Sequence, residues 1–144
     1  MTNDLDLRLT QFVPAAPEKV FDAWLDSGML ARFMLTGPDS GVARAETDPR
    51  VGGRYDIVMT NEMGEVPHWG EYRAIERPNR LQFTWNSPHA SPDSLVTLDF
   101  AAADGGTTVT LVHEHFPSEG SRDGHAKGWA AILATLADRV PAAS

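Results

Sequence analysis

Between Val42 and Phe116 the chain repeatedly alternates apolar and polar residues with a period of two, and this run constrains the fold more than any other feature. Such alternation puts one row of side chains on each face of a β-strand. Tyr55, Ile57 and Met59 alternate with Asp56, Val58 and Thr60, and Leu81, Phe83 and Trp85 alternate with Arg80, Gln82 and Thr84. Val96, Leu98 and Phe100 share a face of a strand over 95–101. Val109, Leu111, His113 and His115 share a face of a strand over 107–116. Further strands are expected over 42–47 and 66–75. Turn residues separate them at Gly52-Gly53, Asn61-Glu62-Met63-Gly64, Glu76-Arg77-Pro78-Asn79 and Asp104-Gly105-Gly106. Strands joined by short turns form an antiparallel meander, whose apolar face must be covered.

The only large covering element comes last. A helix over 119–140 places Trp129, Ile132, Leu133, Leu136 and Val140 at i, i+3, i+4, i+7 and i+11, a one-sided apolar stripe. At the other end of the chain, Leu5-Asp6-Leu7-Arg8-Leu9-Thr10 alternates as a strand that Pro14 ends. Pro17 suits the first turn of a helix carrying Val20, Phe21, Trp24 and Leu25. Asp26-Ser27-Gly28 breaks that helix, and Met29, Leu30, Phe33 and Met34 form a second short one bounded by Gly37-Pro38. The expected class is α+β: a curved antiparallel sheet of about six or seven strands wrapped around a long C-terminal helix, with two short helices after the first strand. One domain spanning 1–144 is expected from the length.

Composition removes several functions. There is no cysteine, so neither disulfides nor thiolate chemistry enter. The formal net charge of −8 disfavours nucleic acid and anionic lipid as partners. Arg50, Arg54, Arg73, Arg77 and Arg80 lie in one middle segment, where solvated strand faces and turn ends account for them. No apolar run is long enough to span a membrane, and the first residues lack a signal peptide's pattern, so a cytoplasmic protein is expected.

The ordered motifs resemble a known family. Ala16-Pro17-Glu18-Lys19-Val20-Phe21-Asp22-Ala23-Trp24 and Val51-Gly52-Gly53-Arg54-Tyr55 are followed by Gly70-Glu71-Tyr72-Arg73-Ala74-Ile75-Glu76 and Arg80-Leu81-Gln82-Phe83-Thr84-Trp85. His113-Glu114-His115-Phe116-Pro117 and His125-Ala126-Lys127-Gly128-Trp129 complete the series. In this order they resemble the SRPBCC (START/Bet v 1-like, helix-grip) superfamily, in the branch related to the activator of Hsp90 ATPase. The resemblance implies a cavity between sheet and long helix, and no single reaction. It implies a small hydrophobic ligand, with two alternatives: a co-chaperone-like interaction domain in stress response, or a cyclase- or hydrolase-type enzyme on a polyketide-like substrate. No cofactor is expected, and either a monomer or a homodimer fits.

The candidate ligand-binding residues are the inner strand faces, the short helix and the last helix: Phe33, Met34, Tyr55, Ile57, Met59, Tyr72, Phe83, Trp85, Phe100, Leu111, His113, His125, Trp129 and Leu133. The same residues would also make an ordinary core. His113 and Tyr72 are the candidates for any catalytic role. His113 and His115 share a strand face and His125 lies one turn before Trp129, so three imidazoles could meet around a metal. The family pattern has a small residue at the position of His115, and a hydrogen-bonded histidine is the plainer reading of His113. His68 and His89 carry no expected role. Glu71 and Arg73 face inward or outward depending on whether Trp69 or Tyr72 turns into the core. Gly120, Gly124 and Gly128 repeat every four residues in the last helix, although each costs up to about 1 kcal/mol relative to Ala there. Either the helix start is loose or it approaches the sheet closely, and both bear on access to a pocket.

Overall fold

The computed structural model describes residues 5–37, 39–88 and 94–142; expectations for residues 1–4, Pro38, His89 and the rest of 89–93 fall outside these. The chain runs β1 (Leu7–Val13), α1 (Pro17–Ala23), α2 (Ser27–Phe33), β2 (Gly41–Thr47), β3 (Arg54–Asn61), β4 (Gly64–Glu76), β5 (Arg80–Thr84), β6 (Leu95–Ala103), β7 (Gly106–Glu114) and α3 (Glu119–Ala142). All seven strands form one antiparallel sheet in the order β1-β7-β6-β5-β4-β3-β2. The first strand therefore pairs with the last, and the rest is a meander.

Because β1 and β2 are opposite edges of the sheet, α1 and α2 must cross from one edge to the other. They close one end of the curled sheet. Pro17 opens α1 at a position where its missing N–H is not needed. The break at Asp26-Ser27-Gly28 is also a cap: the Asp26 carboxylate accepts the Gly28 N–H at 2.9 Å, and α2 follows directly.

The period-two pattern places its apolar rows inward. Tyr55, Ile57 and Met59 on β3, Leu81 and Phe83 on β5, Val96, Leu98 and Phe100 on β6, and Val109 and Leu111 on β7 are all buried. On the other side of that sheet their polar neighbours pair. Arg44 meets Asp56, Arg80 meets Asp99 at 2.7 Å, and Arg73 meets Glu71 at 3.7 Å, all largely exposed. The arginine-rich segment is thus dispersed among carboxylates, each pair contributing about 0–1 kcal/mol, and forms no basic patch. Arg77 instead reaches α1, binding both Asp22 oxygens at 2.8 and 2.9 Å.

Strand β4 settles the open question of its faces. Val66, His68, Gly70 and Tyr72 point inward, while Trp69, at 47 % exposure, and Arg73 point out. A bulge between Tyr72 and Ala74 then shifts the phase, which lets Ile75 pack on the core despite its parity. Strand β7 ends earlier than its pattern predicts. It stops at Glu114, and His115 turns off with φ of 71°, so His115 leaves the strand and is exposed. The β6–β7 turn uses Asp104 and Gly105 with φ of 32° and 83°, as a tight hairpin requires.

The inner face of β4 has a gap at Gly70. Tyr55 on β3 lies across it and donates its hydroxyl hydrogen bond to the Thr84 carbonyl on β5. A Cβ at Gly70 would stand 2.0 Å from that carbonyl oxygen and 2.7 Å from the Tyr55 ring. Glycine here lets one tyrosine tie three strands together. Gly70→Ala should therefore destabilise the fold by about 1–3 kcal/mol, the range for overpacking. Urea denaturation should show a lower midpoint with an unchanged slope; an unchanged midpoint would contradict this role for Gly70.

Candidate functional site

Helix α3 rests against β1 and the short helices and stands off from β3 and β4. Its second half presents Ile132, Leu133, Leu136 and Val140 to the sheet, all buried. Its first half borders a cleft of about 860 Å³. The opposite wall is the β3–β4 hairpin, through Met59, Thr60, Asn61 and Val66, and the rim includes Thr36 and Pro117. Ser118 caps the helix, its hydroxyl accepting the Ser121 N–H at 3.1 Å.

Trp85 and Trp129 form the apolar floor of the cleft, with ring centroids 4.8 Å apart. Trp85 is placed by its neighbours on both sides. Its N–H donates to the Ser94 carbonyl at 3.0 Å, the Ser94 hydroxyl donates back to its carbonyl, and the next residue, Asn86, pairs with Trp69 on β4. The ring is thereby forced inward, 2 % exposed, and its Nε1–H is buried with no partner among the described residues. His68 packs against it at 4.8 Å and also lines the cleft.

Two rows of α3 face this space at four-residue spacing. One is Ser121, His125 and Trp129; the other is Gly120, Gly124 and Gly128, continued by Ile132. The glycines do not approach the sheet closely. A Cβ on Gly124 would have nothing within 4 Å, and one on Gly128 would first meet Thr36 at 3.5 Å. The bare stripe widens the cleft.

Of the residues expected to line a pocket, Met59, Trp85, His125 and Trp129 border the cleft. The others lie elsewhere. Met34, Tyr55, Ile57, Tyr72 and Phe83 surround a void of only about 10 Å³. Phe33 is packed edge-on to Trp24 at 4.9 Å and Phe100 edge-on to Phe21 at 5.3 Å; Leu111 and Leu133 are buried in the same core. The physical reason is that α1 and α2 fill their end of the sheet with Trp24 and Phe33, so α2 plugs the curl there and does not overhang an opening. The cleft sits at the other end. Sequence reasoning passed over His68, Ser87 and Lys127, which also line it. His68 shares the parity of Tyr72, so settling the β4 phase would have found it.

His113 lies one layer behind the cleft wall. Trp129 Nε1–H donates to its Nδ1 at 3.0 Å. An indole nitrogen only donates, so the proton of His113 resides on Nε2, a buried group with no partner among the described residues. Burial, with the nearby His125 as a smaller cause, pulls its pKa down to about 2. Its one basic lone pair is taken, which removes the geometry a general base needs. Tyr72 is equally unsuited: it borders the filled core, and burial raises its pKa far above the ordinary phenol value.

The three histidines do not converge on one point. His113 and His125 stack edge-to-face at 5.3 Å, but His115 is exposed, with its backbone N–H on the Asp6 carboxylate at 3.2 Å. His125 directs Nδ1 at the Ser121 carbonyl, 2.8 Å away. Among the described residues no group of three His, Cys, Asp or Glu is placed to hold a metal ion. The cause is the positive φ at residue 115, which rotates that side chain off the strand face.

The neutral His113 predicts a pH dependence. Unfolded, the ring takes up a proton as pH falls below about 6.5; folded, it does not until about 2. The unfolded state thus gains protons relative to the folded one, and stability should fall with falling pH by about 1.4 kcal/mol per unit from this residue. His113→Gln, which keeps an acceptor for Trp129, should reduce the proton uptake on unfolding by about one between pH 6 and 4. Urea denaturation across that range checks it; identical pH slopes would contradict the assignment.

Comparison with known proteins agrees with this architecture. The chain is 24 % identical to protein CV1439 from Chromobacterium violaceum, whose crystal structure superposes with a TM-score of 0.86, covering 96 % of this chain and 98 % of that one. The solution structure of the AHSA1-like protein from Aeromonas hydrophila shares 26 % identity and a TM-score of 0.80, covering 96 % and 93 %. Protein Ms6760 from Mycobacterium smegmatis shares 22 % identity and a TM-score of 0.82, covering 97 % and 93 %. No curated protein matches the chain. The family model of activator of Hsp90 ATPase homolog 1-like proteins matches residues 14–140. The helix-grip architecture, the curled seven-stranded sheet closed on a long last helix, and this match over nearly the whole chain agree: the protein belongs to the activator of Hsp90 ATPase homolog 1-like family.

Proposed function

We propose that this protein binds a small hydrophobic molecule in the cleft between the start of α3 and the β3–β4 hairpin. The helix-grip fold commonly binds hydrophobic ligands, and the volume of about 860 Å³ falls in the range typical of small-molecule sites. The observation that carries the reading is the glycine stripe. Three glycines in a helix cost up to about 1 kcal/mol each relative to alanine. All three sit where side chains would occupy the cleft, and Gly124 faces open space. A helix with only a structural role would gain stability from alanine or leucine at that point.

The walls suit an apolar guest with a few polar contacts. Trp85, Trp129, Met59 and Ile132 supply apolar surface, and Thr60, Asn61 and Ser121 supply hydrogen-bonding groups. Binding without chemistry fits the two side chains that sequence offered for catalysis, since neither presents a reactive atom to the cleft.

Gly124 separates binding from stability. Gly124→Ala should raise stability by roughly 0.5–1 kcal/mol and keep binding. Gly124→Leu should leave the fold intact and abolish the thermal shift produced by ligands recovered from a screen of fatty acids and aromatic metabolites. A Gly124→Leu protein that binds those ligands as the wild type does would place the site elsewhere.

A further inference from the structure

The charge around the cleft differs in sign from the rest of the molecule. Asp and Glu make up 20 of the 144 residues and the net charge is −8, yet among the described residues no carboxylate lines the cleft. Its ionisable side chains are Lys127, His68 and His125. Among the described residues no carboxylate pairs with Lys127, whereas seven arginines have one within 3.7 Å. The nearest acidic neighbour in sequence on the same helix, Asp123, is engaged by Arg122 at 3.0 Å.

Two further features point the same way. Gly120 and Ser121, in the first turn of α3, border the cleft, and the positive end of a 24-residue helix dipole therefore lies at its edge. Deeper in, the buried Trp85 Nε1–H has no acceptor among the described residues. An unpaired buried donor is costly, and a small shift of the indole toward the cleft would offer it to a ligand oxygen.

Taking the cleft as the binding site proposed above, we infer that its ligand is an amphipathic organic anion: an apolar body against Trp85 and Trp129, with an acidic head group met by Lys127. A protein of net charge −8 repels free anions, so a locally positive, carboxylate-free mouth is what makes capture of such a molecule feasible. A cationic or purely apolar guest would leave Lys127 without a counterpart.

A matched pair of fluorescent probes tests this. 1-Pyrenebutyrate and 1-pyrenebutanol share a body and differ in head group. The wild type should bind the anion at least about fivefold more tightly at low ionic strength, and the preference should shrink with added salt. Lys127 is exposed, so Lys127→Gln should fold normally, lose most of that preference and leave the affinity for the alcohol unchanged. Equal affinity for both probes in the wild type, with binding lost in Gly124→Leu, would overturn the anionic head group and leave the cleft as a binding site. A preference that survives Lys127→Gln would overturn the role of Lys127. No binding of either probe, or binding indifferent to Gly124→Leu, would overturn both the inference and the binding reading beneath it.

Discussion

One buried hydrogen bond, from Trp129 Nε1 to His113 Nδ1, fixes how the last helix lies on the sheet. Both groups are polar and both are buried, so separating them would leave a donor and an acceptor unsatisfied at a cost of about 1–3 kcal/mol each. Apolar packing of Ile132, Leu133, Leu136 and Val140 attracts the helix to the sheet but tolerates sliding, because it has little directionality. The hydrogen bond does not tolerate it. It pins α3 to β7 at one point, fixes the tautomer of His113, and leaves the part of the helix before Trp129 projecting beyond the packed core.

The two ends of the curled sheet follow from that arrangement. At one end α1 and α2 bring Trp24, Leu30 and Phe33 into the curl, and the space closes to about 10 Å³. At the other end the projecting turns of α3 carry glycine where a core helix would carry leucine, and the space stays open at about 860 Å³. Trp85 belongs to both regions. It bounds both the filled core and the cleft, so the floor of the cleft is continuous with the core beneath it.

Much of this was legible in the sequence, because strand parity and helical periodicity are local. The alternation of Tyr55, Ile57 and Met59, and the stripe from Trp129 to Val140, report their faces without knowledge of the partners. What parity does not report is depth along a curved sheet. Phe83 and Trp85 have the same parity on neighbouring positions, yet one meets the core void and the other also meets the cleft. That difference depends on the volumes of Trp24 and Phe33, which arrive from a distant part of the chain. His115 failed for another reason: a single positive φ ended the strand one residue before it. The glycine repeat was visible from the start, but its meaning needed the empty space beside Gly124.

The four indoles of the chain provide the most direct test that the open end of the sheet, and not its core, receives a ligand. Trp24 lies in the filled core, Trp69 on the outer face, and Trp85 and Trp129 on the cleft floor. In a nitrogen-edited NMR titration with 1-pyrenebutyrate, the account predicts that the Nε1–H signals of Trp85 and Trp129 shift together while those of Trp24 and Trp69 stay in place. A shift centred on Trp24 or Trp69, with Trp85 and Trp129 unmoved, would contradict it.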